Sequence, residues 1–385
     1  MLYVTESVPN RDPVLGDGSS MIPFEIIQFL PNDIEVTLLT FCGDVPVPRE
    51  ILHRCSQVIA LQPRSLRLAM ARSLVSPLQV GAEERSTAAA VRQVRRLSAE
   101  RDATIFHGPH VMFLARQASG PIVIQSVDPW SLRIGMESSL TAGLRTRYRA
   151  RKARQAGDVE RRLPEHARLL TVGAADATAW SSRLERPVSS IPNGVQSAVR
   201  PARSGGPPVV CFVGSLNYEP NMESARILAT EIAPQVWQSM PETRFVVAGR
   251  QPGPKILALA GDRIEIKANV PSVLDVFHSS DVAVFPDQHG LGIRNSVGEA
   301  LAAGLPVVAT AAAAREQPAH PLLSVEPDQP SLLRRLREVL SDLRLGQGPG
   351  LTNVGKGRRH ASWSDVALAY RDELYRALGS DHAEV

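Results

Sequence analysis

Short runs of Val, Ile and Leu alternate with longer stretches of helical character along the chain. In the first half the runs are Met1–Thr5, Glu35–Phe41, Gln57–Leu61, Ala103–His107, Pro121–Gln125 and Arg168–Val172. They show little polar alternation, the pattern of strands buried on both faces in a helix-covered parallel sheet. Helical stretches fall between them, around Met21–Leu30, Glu84–Arg101 and Ser131–Asp158. Val188–Gly206, with Pro192, Asn193, Gly194, Pro201, Gly205 and Gly206, reads as a linker. The scheme then repeats. Pro208–Gly214, Arg244–Gly249, Arg263–Lys267, Asp281–Phe285 and Pro306–Thr310 read as strands, and Asn221–Ile232, Ser272–His278 and Ile293–Ala303 as helices. Gly304 stands where a helix C-terminal glycine belongs. The pattern predicts an α/β chain of two Rossmann-like, doubly wound domains. Such domains bind ligands at the carboxyl ends of their strands, and two of them face each other across a cleft.

A length of 385 residues agrees with at least two domains. With 43% hydrophobic and 21% charged residues, composition excludes a disordered chain, a collagen-like fibre and a coiled coil. Net charge is +4, too small an excess to point to nucleic acid, and only Lys152, Lys255, Lys267 and Lys356 are lysines. No run approaches a membrane span, and Met1–Glu6 lacks the basic and apolar regions of a signal peptide. Cys42, Cys55 and Cys211 are too scattered for a disulfide frame or zinc site. The expectation is a cytoplasmic protein with reduced thiols.

The candidate chemistry lies in Asp281–Thr310. A strand ends at Phe285-Pro286, and a loop holding Gly290 and Gly292 leads into a helix. Such a loop brings backbone N–H groups close to a ligand, and the helix N-terminus adds partial positive charge. Arg294 stands in the first turn with a planar fork suited to phosphate. Glu299 falls among Val297, Ala300, Leu301 and Ala303, where a carboxylate needs donors such as ribose hydroxyls. One physical reading is a nucleotide diphosphate site; the other is a plain strand–loop–helix crossover with a solvated Arg and Glu.

The segment resembles the donor-binding stretch of the family-4 retaining glycosyltransferases, which have the two-domain GT-B fold. Pro286, Gly290, Gly292, Arg294, Glu299, Ala300, Ala302, Gly304, Pro306, Val307, Val308 and Thr310 carry the resemblance. Phe212-Val213-Gly214 with Tyr218, Pro220 and Asn221, Val246–Gly249 with Pro252, Asp275 with Ser280–Val282, and Ile191–Val195 agree in order and spacing. In the first half it continues through Gly16-Asp17-Gly18, His107 and Asp128, and Trp363–Leu378 resembles the C-terminal helix that packs back on the first domain. Four departures stand out. Ser296 replaces the family's usual Lys, Leu291 stands where many relatives carry a second carboxylate, and Gln196 replaces an Asp. The loop Ser215–Met222 lacks the Arg and Lys that many relatives use for the diphosphate.

The resemblance implies transfer of a sugar from a UDP-, GDP- or TDP-linked donor to an acceptor hydroxyl, with retention. Residues 1–190, joined by a helix within 361–385, would bind the acceptor, and residues 191–360 the donor. Arg294 and the Gly290-Leu291-Gly292 loop would take the diphosphate, Glu299 the ribose, and Asp287, Gln288 and His289 the sugar. His107 would sit by the reacting sugar, with His110 as the second candidate. Gly18 would approach the diphosphate, Asn217 the donor, and Asp128 an acceptor hydroxyl. Dispersed histidines and the absence of an Asp-x-Asp triplet predict no metal and no other cofactor. No motif names the acceptor, which a glycan, a lipid carrier or a small natural product would each satisfy. The arginine-rich stretch Arg145–Arg168 suits an anionic membrane surface in charge, but lacks an opposing face of large apolar residues. It reads instead as a solvated helix, and its aromatic content, Tyr148 alone, does not suit nucleic acid. The competing functions are a non-catalytic scaffold of the same fold and a nucleotide-sugar epimerase.

Overall fold

A computed structural model of the chain describes residues 1–12, 14, 16, 18–139, 144–196, 205–289, 293–345 and 360–379. The chain forms two compact units. One holds Met1–Arg11, Leu15–Asn193 and Trp363–Val385; the other holds Asp12–Val14 and Gly194–Ser362.

The first unit is built on a parallel sheet of β1 (Leu2–Thr5), β2 (Thr37–Phe41), β3 (Gln57–Leu61), β4 (Thr104–His107), β5 (Ile122–Gln125), β6 (Arg168–Thr171) and β7 (Val188–Ser190). Their order is β3-β2-β1-β4-β5-β6-β7. β1, β2, β4 and β5 are buried throughout, which is why they read as continuous apolar runs. Leu2, Val4, Phe106, Ile122 and Ile124 pack with Val94, Leu97 and Trp180 in one cluster. β7 lies at the sheet edge inside the stretch expected to be a linker. It is three residues long and has no buried residue, so it leaves no apolar run to read. The stretch expected as one helix over Glu84–Arg101 is instead two, Val80–Arg85 and Ala88–Ala99. Thr87 divides them, its hydroxyl accepting from the Ala90 N–H as an N-cap.

The C-terminal helix Trp363–Ala377 packs on β5 and on the Gly18–Phe29 helix of this unit. Tyr370 is buried, and its hydroxyl accepts a 2.6 Å hydrogen bond from the buried Gln125 amide at the end of β5. Arg168, which opens β6, pairs with Glu373 at 2.5 Å.

The second unit repeats the architecture with β8 (Val209–Val213), β9 (Arg244–Gly249), β10 (Ile264–Ala268), β11 (Val282–Phe285), β12 (Val307–Thr310) and β13 (Leu323–Glu326). These are parallel, in the order β10-β9-β8-β11-β12-β13. Helices run over Glu219–Ile227, Val273–His278, Asn295–Ala302 and Gln329–Arg344. Phe212, Phe245, Phe277, Phe285 and Leu336 centre the core. Gly304 has φ +74°, the left-handed conformation expected of a helix C-terminal glycine. In each unit the strand order reverses beside the first strand, between β1 and β4 and between β8 and β11. Loops diverge there and leave a crevice at the carboxyl ends.

Replacing Tyr370 by Phe should strand the Gln125 amide in the core and cost about 1–3 kcal/mol in urea unfolding. Leu368→Ala, at an exposed position of the same helix, should change stability by less than about 0.5 kcal/mol.

Candidate functional site

The carboxyl ends of β8 and β11 are neighbours, and Arg294 lies over both. Its guanidinium carbon is 5.1 Å from the ring centre of Phe212 and 5.1 Å from that of Phe285. β8 and β11 thus supply an aromatic floor beneath a cation. Nη1 is held from two directions: Asp287 lies 3.0 Å away and Asn221 Oδ1 accepts at 2.8 Å. Asp287 in turn accepts from Ser224 Oγ at 2.5 Å, and its backbone carbonyl accepts from Thr310 Oγ1 at 2.7 Å. Asn221 is fixed at its other end by donation to the Ser215 carbonyl at 2.9 Å. Gln317 donates to the Arg294 carbonyl at 2.9 Å.

Nε and Nη2 of Arg294 are buried and have no hydrogen-bond partner within the protein. They form one edge of the planar fork, the geometry that takes two oxygens of a phosphate or carboxylate. Each buried N–H left without a partner costs roughly 1–3 kcal/mol. Burial pulls the Arg294 pKa down and pushes that of Asp287 up, while their mutual attraction opposes both shifts. The guanidinium keeps its proton regardless, because arginine starts so high.

Glu299 lies one turn further along the same helix and is half-buried. Burial pushes its carboxyl up to about 7, against the pull of Arg250. Arg250 follows β9 and donates to Ser215 Oγ at 3.0 Å. The approach of these strand ends depends on one glycine. A Cβ on Gly249 would stand 1.8 Å from the Gly214 carbonyl oxygen, so no other residue fits there.

The expected site residues separate into groups. Arg294, Asp287 and Glu299 come together at the carboxyl end of the second sheet. Asp287 faces the arginine and is buried there, whereas Gln288 and His289 are exposed. Asn217 is also exposed and donates to Gln251 at 2.7 Å. Gly290, Leu291, Gly292 and Asp17 lie outside the described residues. Gly18 opens the Gly18–Phe29 helix. Ser224 and Gln317 carried no motif signal, and Asn221 stood only among the residues that carry the resemblance.

In the first unit, His107 ends β4 fully buried. Its Nδ1 lies 3.1 Å from the Tyr3 hydroxyl, the two rings stack, and its Nε2 is buried with no partner. Burial depresses its pKa to about 4, so the ring is neutral at pH 7. His110 has a different setting. Its Nδ1 lies 3.1 Å from Glu6, its backbone N–H donates to the same carboxylate at 2.9 Å, and its ring meets Trp130 edge-on. The Glu6 carboxyl is held at about 2: burial opposes ionisation, and His110 and Arg85 outweigh it. Asp128 pairs with Arg133 at 2.8 Å. Among the described residues, no cluster of three His, Cys, Asp or Glu side chains is placed to hold a metal ion.

Residues 207–342 match the family described as Glycosyl transferases group 1. That stretch contains every residue of the Arg294 site. Solved structures align along almost the whole chain and identify the fold as GT-B. Sucrose-phosphate synthase from Thermosynechococcus elongatus aligns with a TM-score of 0.70 at 16% identity, covering 98% of each chain. Anabaena HepE, solved with UDP and glucose, has a TM-score of 0.63 at 12% identity, covering 97% of this chain and 98% of its own. A Listeria monocytogenes protein assigned as a UDP-N-acetylglucosamine 2-epimerase has a TM-score of 0.59 at 11% identity, covering 100% and 98%. No curated protein sequence matches the chain significantly.

The raised pKa of Glu299 has a definite consequence for stability. Between about 4.3, where a free Glu titrates, and about 7, the native state keeps a proton that the unfolded chain has released. That contribution favours folding at low pH and is lost as pH rises through 7. Glu299→Gln removes it. In urea unfolding, the stability of wild type relative to the variant should fall between pH 5 and pH 8.

Proposed function

We propose that the chain is a glycosyltransferase of the family-4 kind, using a nucleotide-sugar donor held by the second unit. The observation that carries this reading is the buried, unpartnered Nε/Nη2 edge of Arg294 at the switch point of the second sheet. Its polarity and shape suit a diphosphate, and the phosphates would relieve two stranded donors. Asp287, expected from the sequence to line the sugar, serves in this reading to orient the arginine together with Asn221 and Ser224. Glu299 accepts from the ribose hydroxyls. Gln288, His289 and the 290–292 loop complete the donor site, with Asn217 as an outer contact; Gly18, in the first unit, keeps the diphosphate role on the family resemblance alone.

As the bond from the sugar to the diphosphate breaks, negative charge gathers on the leaving group. Arg294 and the N-terminus of its helix stabilise that charge without reorganising, since the fork is already fixed. The group is preorganised by its own pairing, which supports a metal-independent reaction, and the family resemblance supports retention. The first unit takes the acceptor. There the neutral His107 offers its free Nε2 to the sugar, and Asp128 contacts the acceptor hydroxyl. The setting in this reading is the cytoplasm that the sequence leads one to expect. The epimerase fold neighbour supports a second reading on the same donor site. Formation of an epimer without acceptor would select it.

The first test is a thermal-shift panel of UDP, GDP, TDP and ADP in EDTA. A nucleotide at ~100 times its dissociation constant adds ~2.7 kcal/mol, several degrees in Tm. One base should stand out, and Glu299→Ala should weaken it by roughly 10- to 150-fold, the loss of one charge-assisted hydrogen bond. A response to none of the four would refute the donor site. Nucleotide binding should also tighten from pH 6 to pH 8, because ribose donors favour the ionised Glu299, whose pKa is about 7. Calorimetry on Glu299→Gln should show that dependence gone.

A further inference from the structure

The first unit carries an apolar surface that the donor chemistry does not use. Within ten residues, Leu66, Leu68, Met70, Leu74 and Val75 are all at least half exposed, and Val75 is 90% exposed. Leu66, Met70 and Leu74 follow i, i+4, i+8 spacing on and just beyond the Leu66–Ser73 helix, so they share one flank, and Val75 forms its tip. An isolated exposed leucine needs no explanation, but five gathered in one segment do.

The neighbouring element is the arginine-rich helix Leu144–Arg161. Gln155 Nε2 donates to the carbonyls of Ser73, Ser76 and Leu78 at 2.9–3.1 Å. Arg151 donates to Ser73 at 2.9 Å and also to Leu74. These bonds clamp the apolar loop against the basic helix. Arg147, Arg151 and Arg154 are exposed there, and Tyr148 is 53% exposed. No acidic residue occurs between Glu50 and Glu83 or between Glu137 and Asp158, so both segments are free of acidic neighbours in sequence. A cavity of about 300 Å³ adjoins the loop. Ser76 and Leu78 line it beside Arg72, Arg116 and Arg162, and its acid, Glu83, is already paired with Arg64 and Arg72.

We propose that this face docks on an anionic lipid surface. The apolar flank and tip enter the boundary between headgroups and chains, and the flanking arginines meet lipid phosphates. The charge pattern selects the occupant. An apolar patch alone would suit a protein partner, but one bordered by cations over two acid-free segments is the arrangement that binds anionic bilayers. The sequence hides it because the apolar and basic halves lie about 80 residues apart and are joined through Gln155 and Arg151. No helix among the described residues is long and apolar enough to cross a membrane, so the contact is with the surface.

Flotation with phosphatidylcholine vesicles, with and without phosphatidylglycerol, tests the proposal. The full chain should float with the anionic vesicles, and salt should weaken that binding. Leu74→Ser with Val75→Ser, and separately Arg147→Glu with Arg154→Glu, should each reduce the partition at least ~tenfold. All four positions are exposed, so unchanged Tm in both variants serves as the folding check. Failure to float with anionic vesicles would overturn the proposal, as would binding that neither variant reduces. Light scattering showing a dimer that the Leu74/Val75 variant dissociates would also overturn it, by making a second copy the occupant. None of these readouts depends on the donor site.

Discussion

A parallel sheet leaves neither face to water, and that constraint shapes both units. Each inner strand must be apolar on two sides, parallel neighbours must be joined by crossover connections, and the crossing loops must gather at the ends of the strands. Where the strand order reverses, neighbouring loops turn away from each other and open a crevice. The polar residues of the second unit that bear on donor chemistry collect there. Arg294 and Asp287 come from the segment after β11, and Asn221 and Ser224 from the helix after β8, yet all belong to the β8–β11 switch point.

Burying a guanidinium costs several kcal/mol unless its donors are matched. The protein meets part of that cost with Asp287, Asn221 and two aromatic faces, and leaves one edge of the fork unmatched. A fork held on one side and open on the other is stiff, and a stiff donor pair loses little entropy on meeting a phosphate. The departures from the family pattern fit this economy. Ser296 removes a lysine from the first turn of the helix, and the Ser215–Met222 loop has no basic residue, so the positive charge of the site rests on Arg294 and Arg250.

The two histidines at the end of β4 show how three positions change a side chain's chemistry. His107 is buried at the end of β4 beside Tyr3, with its Nε2 unpartnered, and stays neutral. His110 stands beyond the strand on a carboxylate that anchors both its ring and its backbone. Gly108, between them, adopts φ +105° with Glu6 where its Cβ would be, so the chain turns sharply enough to separate the two environments.

By itself the sequence determined the doubly wound class, most strand positions and the helix that opens at Asn295. Strands buried on both faces leave apolar runs, and a glycine-flanked arginine after such a run carries a chemical meaning. Of the half-exposed edge strands, β3 and β10 were legible, whereas β7 and β13 were not. Glu299 was legible as a carboxylate in an apolar helix, because its i±1 to i±4 neighbours are adjacent in the chain. The network around Arg294 was not, since Asn221 bonds it across 73 residues and Ser224 bonds its partner Asp287 across 63. The joining of an apolar loop to a basic helix was equally hidden. Contacts between segments distant in the chain depend on which strands pair and which loops meet, and only the tertiary structure decided those.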